Sequence, residues 1–114
     1  MSVKTKRIGS NFVKEISYIL MTEIKDPNIK FVTITDCDVT NDLSYAKVYF
    51  TCLKREYKEE TIEALNKAAN FIELELAKRV DIRKMPQSSF HYDESIEYGE
   101  KMDKKFEELE KKED

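Results

Sequence analysis

Two runs rich in β-branched and aromatic residues, FVTITDCDV (Phe31 to Val39) and SYAKVYFTCL (Ser44 to Leu53), are separated by only four residues, TNDL. Runs of this kind around a polar turn predict an antiparallel hairpin. Along the second run Ala46, Val48, Phe50 and Cys52 fall on one face and Tyr45, Lys47, Tyr49 and Thr51 on the other, because strand side chains alternate. The hairpin therefore has one dry face, which other elements must cover, and one amphipathic face.

Two helical stripes are available to cover it. From about Thr5 to Lys25, Phe12, Ile16, Ile19, Leu20 and Ile24 recur at amphipathic helix spacing. Asp26-Pro27-Asn28 ends that helix, since proline restricts the residue before it and cannot extend the hydrogen-bond ladder. From about Lys58 to Val80, Ile62, Leu65, Ala69, Ile72 and Leu76 recur at spacings of three and four. A straight helix of that length would run about 35 Å, against a radius of gyration of about 13 Å for a domain of this size. A bend at KAANF would keep it on the sheet, and Asn70 tolerates a left-handed conformation; against a bend, the apolar stripe keeps its phase there. Periodicity alone leaves the two open.

Pro86 breaks the chain again, and SSFHYD (Ser88 to Asp93) reads as a third strand with Phe90 and Tyr92 on one side. A strand reached through a helical crossover pairs in parallel with a neighbour. The fold class expected is α+β, in one domain over residues 1–97. Residues 98–114 read as a charged, mobile C-terminal tail with some helical tendency.

A chain of 114 residues can bury a core without disulfide or metal staples. It has no apolar run near the ~20 residues of a membrane span, and its first ten residues, MSVKTKRIGS, lack the apolar stretch of a secretory signal, so a cytoplasmic location and no membrane partner are expected. The hairpin register expected from the turn sets Cys37 near Ala46 and Cys52 near Phe31, too far apart to bridge; both are read as free thiols. The net charge of −3 is unevenly distributed. Residues 1–30 hold six Lys and Arg against three Asp and Glu, whereas residues 86–114 hold five against ten.

No catalytic constellation stands out. His91 is the one histidine, on an expected strand and outside any HExxH pattern; it reads as structural or solvent-facing. The cysteines lack CxxC spacing, and two glycines build no phosphate loop. Asp36, Asp38 and Asp42 cluster at the hairpin turn, where a divalent-ion site competes with plain turn-forming carboxylates; without the glycine and terminal glutamate of a calcium loop the second reading is favoured. No cofactor is called for.

The basic group AKRVDIRK carries Lys78, Arg79, Arg83 and Lys84 where the long helix ends. The helix dipole alone accounts for cations there. With Lys4, Lys6 and Arg7 from an N-terminal arm packed nearby, they would instead form a phosphate-contacting patch. Tyr45 and Tyr49 offer base stacking, with edge packing beside a helix as the competing reading.

The stretch EIKDPNIKFVTITDCDVTNDLSYAKVYFTCL (Glu23 to Leu53), with its Glu-Ile-Lys-Asp-Pro helix end, its Asp42-Leu43 turn and Ala46-Lys47-Val48-Tyr49, resembles the signature region of bacterial ribosome-binding factor A. The likeness continues through LNKAANFIELELAKRVDIRKMPQSSFHYDES (Leu65 to Ser95) and so covers nearly everything but the tail. The resemblance implies a type II KH-like domain, α-β-β-α-(kink)-α-β, with a three-stranded sheet and helices on one face. It also implies a bend of the Ala-x-Gly type at Ala68-Ala69-Asn70, where this chain has Asn70 in place of glycine. As to role, it implies a non-catalytic assembly factor that binds the free small (30S) ribosomal subunit, assists late maturation and 5′-end processing of 16S rRNA, and matters most in the cold; nothing in the sequence demands more than a monomer. Lys4, Lys6, Arg7, Ala69, Asn70, Lys78, Arg79, Arg83 and Lys84 are the residues expected to meet rRNA. The alternative is a protein-interaction module using the hairpin edge or the charged tail; an enzyme is a third class, for which no residue set offers nucleophile, base or metal ligands together.

Overall fold

The computed structural model describes residues 3–29 and 31–95; the expected tail, 98–114, lies outside them. The N-terminal stripe forms helix α1, Val3–Thr22. It buries Phe12, Ile16, Ile19 and Leu20, the face the spacing marked out. The helix ends five residues before Pro27, with the Glu23 N–H bonded to the Ile19 carbonyl at 2.8 Å. The Asp26 carboxylate then accepts from the Asn28 N–H at 2.9 Å, a side-chain turn that redirects the chain towards the sheet.

The hairpin is present as β1, Thr33–Val39, and β2, Tyr45–Thr51, paired antiparallel. Its register differs from the one expected: Cys37 stands opposite Val48, and Ala46 opposite Val39. Two features cause the shift. The Thr40 hydroxyl accepts from the N–H groups of both Ser44 and Tyr45 at 3.1 Å, which keeps Ser44 in the loop. Further along, the register slips between Ile34 and Asp36, leaving Thr35 as an extra residue. This bulge lets Ile34 and Cys37, three positions apart, both face the core at 6% and 4% exposure. Cys37 and Cys52 are both free thiols.

Strand β3, Gln87–Tyr92, pairs in parallel with β2 and completes the order β1-β2-β3. It is reached through a short 3-10 turn, Arg55–Tyr57, and helix α2, Lys58–Arg79. Helix α1 packs on β1, α2 packs on β3, and the two helices touch. Between them and the sheet lie Val39, Ala46, Val48, Phe50, Leu65, Ile72, Leu76 and Phe90, all buried. Among the described residues no helix covers the opposite face of the sheet, where Tyr45, Lys47 and His91 are exposed.

One expectation is corrected. Ala68-Ala69-Asn70 does not divide the second helix: Lys58–Arg79 is a single α-helix of 22 residues. Leu43, at φ 59°, is the non-glycine residue with positive φ among those described, so Asn70 is not left-handed. Two alanines, the strongest helix formers, precede an exposed Asn70 that fits a helical surface at small cost. The apolar stripe passes through without a change of phase, and Phe71 and Leu74 point away from the core.

Candidate nucleic-acid interface

The sequence placed Lys4, Lys6 and Arg7 on an arm. They occupy instead the first two turns of α1. No acidic residue accompanies them in the first turn, so three cations sit at the end of a helix where the macrodipole is already positive. Helix stability does not account for that placement.

The N-terminus of α1 lies beside the hairpin turn and the loop from α2 to β3. Lys4, Thr5, Asn41, Asp42, Leu43, Arg83 and Lys84 line one concavity of about 530 Å³. The Lys84 ammonium donates to the Ser44 hydroxyl at 3.2 Å, tying the loop to the turn. Asp42 accepts from the Thr40 hydroxyl at 2.8 Å and the Ser44 N–H at 3.1 Å. Those hydrogen bonds, with a smaller contribution from Lys84, hold its carboxyl below the ordinary carboxylate range. The hollow thus combines three cations with one carboxylate fixed by the turn itself. Lys6 and Arg7 are exposed on the same end of α1.

The remaining expected residues do not join this group. Arg79 turns towards α1: its guanidinium is 2.8 Å from Glu75 and 3.6 Å from Glu23, and it lies over the Tyr18 ring at 5.8 Å. Glu75 in turn is held below its usual range, first by Arg79 and then by Lys78. Lys78 is exposed but paired with Glu75 at 3.2 Å. Ala69 is half-buried against the core and Asn70 exposed, about 15 Å along α2 from Arg79 at 1.5 Å per residue. The patch expected as one therefore separates into a cationic hollow at the hairpin turn and an ion-paired lock between the helices.

Thr5, Asn41 and Leu43 belong to the hollow and were not singled out from the sequence, where nothing marks the turn as a neighbour of Lys4. Tyr45 and Tyr49 lie on the face of the sheet that no helix of the described residues covers. Tyr49 is half-buried with its ring 5.7 Å from that of His91, which bonds to the Ser89 hydroxyl at 2.9 Å. Asp36 and Asp38 are separated from Asp42, and among the described residues no group of three or more His, Cys, Asp or Glu could hold a metal ion. No helix among the described residues is long and apolar enough to cross a membrane.

A helix on a hairpin, a long crossover helix and a third, parallel strand, with both helices on one face, define an α+β domain of the KH-like kind. The chain belongs to the ribosome-binding factor A family, whose model matches residues 4–106. It is 47% identical over 111 residues to ribosome-binding factor A of Staphylococcus carnosus, covering 96% of each chain. The crystal structure of ribosome-binding factor A from Thermus thermophilus superposes with a TM-score of 0.71 at 22% identity, covering 77% of this chain and 93% of that one. A homology model of the Thermus thermophilus factor, as fitted into the cryo-EM map of a 30S complex, has a TM-score of 0.62 at 23% identity, covering 73% and 88%.

Proposed function

We propose that this chain is a ribosome assembly factor that binds the free small ribosomal subunit in the cytoplasm and assists late maturation and 5′-end processing of 16S rRNA, by binding and without catalysis. A role weighted towards growth in the cold goes with that reading. Its main support is membership of the ribosome-binding factor A family, together with the map of a 30S complex into which a homology model of the Thermus thermophilus factor is fitted. The hollow at the hairpin turn adds a physical means: Lys4, Arg83 and Lys84, flanked by Lys6 and Arg7, present cations to a phosphate backbone. Lys78 and Arg79 contribute less, because their charge is already directed at Glu75 and Glu23. Ala69 and Asn70 contribute only what a helical surface offers, since they lie within an unbroken α-helix.

The test is co-sedimentation with separated small subunits, large subunits and assembled ribosomes at low and moderate salt. Selective association with small subunits, weakened by salt, is expected, with a slope of log affinity on log salt of about 0.9 per phosphate contact or less. Reversal of both Arg83 and Lys84 to Glu should weaken that association and flatten the slope. Binding indifferent to subunit type would overturn the reading. Retention of a protein partner after nuclease and high salt would favour the protein-interaction alternative.

A further inference from the structure

The hollow at the hairpin turn holds a group that phosphate binding does not use. Lys4, Arg83 and Lys84 suit an anion, yet Asp42 lines the same concavity. A carboxylate beside a phosphate repels it. Turn formation engages one of its oxygens: the Thr40 hydroxyl and the Ser44 N–H both donate to Oδ1, at 2.8 and 3.1 Å. Neither bond falls on Oδ2, and the residue is exposed. The Lys84 ammonium donates to the Ser44 hydroxyl at 3.2 Å and acts on the carboxylate from a distance. The hollow therefore offers a fixed, negatively charged acceptor among cations.

An amide and an apolar side chain accompany it. Asn41, whose side chain both donates and accepts, and Leu43 flank Asp42 in the chain and line the same hollow. Leu43 is at φ 59°, a left-handed conformation that a bulky residue rarely adopts. Glycine closes such a turn more easily. What leucine adds is its side chain, which rests against the core and also lines the hollow. In nucleic-acid recognition, phosphate contacts position a strand while contacts to base edges read it, and an unpaired base opens its Watson–Crick edge to side chains. Guanine alone among the four bases sets two donors there side by side, N1–H and the N2 amino group, with the O6 acceptor next to them. A carboxylate matches the donors and an amide N–H matches O6.

We propose that the hollow takes an unpaired guanosine of an RNA strand, with Asp42 Oδ2 accepting from the guanine N1–H and N2 amino group and Asn41 donating to O6. Leu43 supplies an apolar contact to the base, and Lys4, Arg83 and Lys84 hold the adjoining phosphates. This deepens the rRNA-binding reading and rests on it for the identity of the strand. The cations then set affinity, and Asp42 sets specificity.

The probes are fluorescein-labelled RNA hexamers, all uridine or with one internal guanine, adenine or cytosine, titrated with the full-length chain and read by fluorescence anisotropy. The guanine hexamer should bind about tenfold more tightly than the all-uridine one, the discrimination usual for a bidentate base contact. Asp42→Asn keeps the turn, because its amide oxygen accepts the same two hydrogen bonds, but loses the charge. It should hold the all-uridine hexamer as well as the native chain or better, with the preference for guanine reduced to about twofold or less. Arg83→Gln should weaken all four alike, lower the salt slope by about one and keep the preference. Equal native affinity for the four hexamers, no binding of any, or a preference that survives Asp42→Asn would overturn the proposal. Free GMP competing as well as the guanine hexamer would assign the hollow to a mononucleotide and also overturn it. Co-sedimentation with small subunits is scored separately. If it is selective while the hexamers show no preference, this inference falls and the assembly-factor reading stands; a guanine preference without small-subunit association sinks that reading and leaves the base contact.

Discussion

Gly9 on α1 faces the backbone carbonyl of Cys37 on β1 so closely that a β-carbon on Gly9 would collide with that oxygen. This contact sets how near the helix can approach the sheet. Elsewhere in a helix, Gly→Ala is stabilising by up to about 1 kcal/mol. Here the obstacle is backbone, which cannot swing aside like a side chain. Gly9→Ala is expected to destabilise the fold by about 1–3 kcal/mol, the usual cost of overpacking, seen as a lower denaturant midpoint; an unchanged or raised midpoint would refute the contact's role.

Cys37 gives the stability a dependence on alkaline pH. Burial first, and the neighbouring Asp36 and Asp38 next, push its thiol from an ordinary 9.0 up to about 12. Below pH 9 the thiol is protonated in both folded and unfolded chains and contributes no pH dependence. Between 9 and 12 the unfolded chain releases the proton while the folded one keeps it, so stability falls as pH rises, by up to about 1.4 kcal/mol per pH unit. Urea titrations of the native chain and Cys37→Ala at pH 8 and pH 10.5 should show the native chain losing more stability; parallel losses would remove this group as the cause.

Arg79 and Lys84 should respond differently to substitution. Arg79 bridges Glu75 and Glu23 and covers Tyr18, so Arg79→Ala should lower the melting temperature, with Arg79→Lys recovering only part because the planar fork is lost. Lys84, exposed, donates to the Ser44 hydroxyl and acts on the Asp42 carboxylate from a distance, so Lys84→Glu should cost less melting temperature than Arg79→Ala and weaken small-subunit binding. The reverse pattern would place Arg79, not the hairpin-turn hollow, at the interface.

Asn70 tests the continuity of α2. At an exposed helical position Asn is poorer than Ala, so Asn70→Ala is expected to stabilise by about 0.5 kcal/mol. A left-handed Asn70 would make the same change destabilising by about 1 kcal/mol or more. Equilibrium unfolding of the two proteins separates the cases by sign.

Much of this fold was legible because its signals are local. Alternation in the two strands and the three-and-four spacing in both helices depend only on which side chains share a face, and Phe12, Ile16, Phe50, Leu65 and Ile72 are buried as their positions imply. Charge was legible as an amount but not as an arrangement. Arg79 and Arg83 are four residues apart and look alike in the sequence, yet one is locked between helices and the other lines the hollow. Which of them is open to an anion depends on Glu23, Glu75 and Lys4, two of them far away along the chain.

The sequence by itself determined the element order, the dry face of the hairpin, the parallel third strand and, through its resemblance, the family. Each rests on periodicities or motifs within a few tens of residues. Only the tertiary structure decided the register, the course of α2 and the composition of the cationic hollow. The register follows from a threonine hydroxyl holding two backbone amides and from the bulge at Thr35 that returns Ile34 and Cys37 to one face. The course of α2 was decided by helical geometry holding through Ala68-Ala69-Asn70. The hollow exists because α1 begins against the hairpin turn, a proximity between residues about 40 apart for which no local pattern provides a signal.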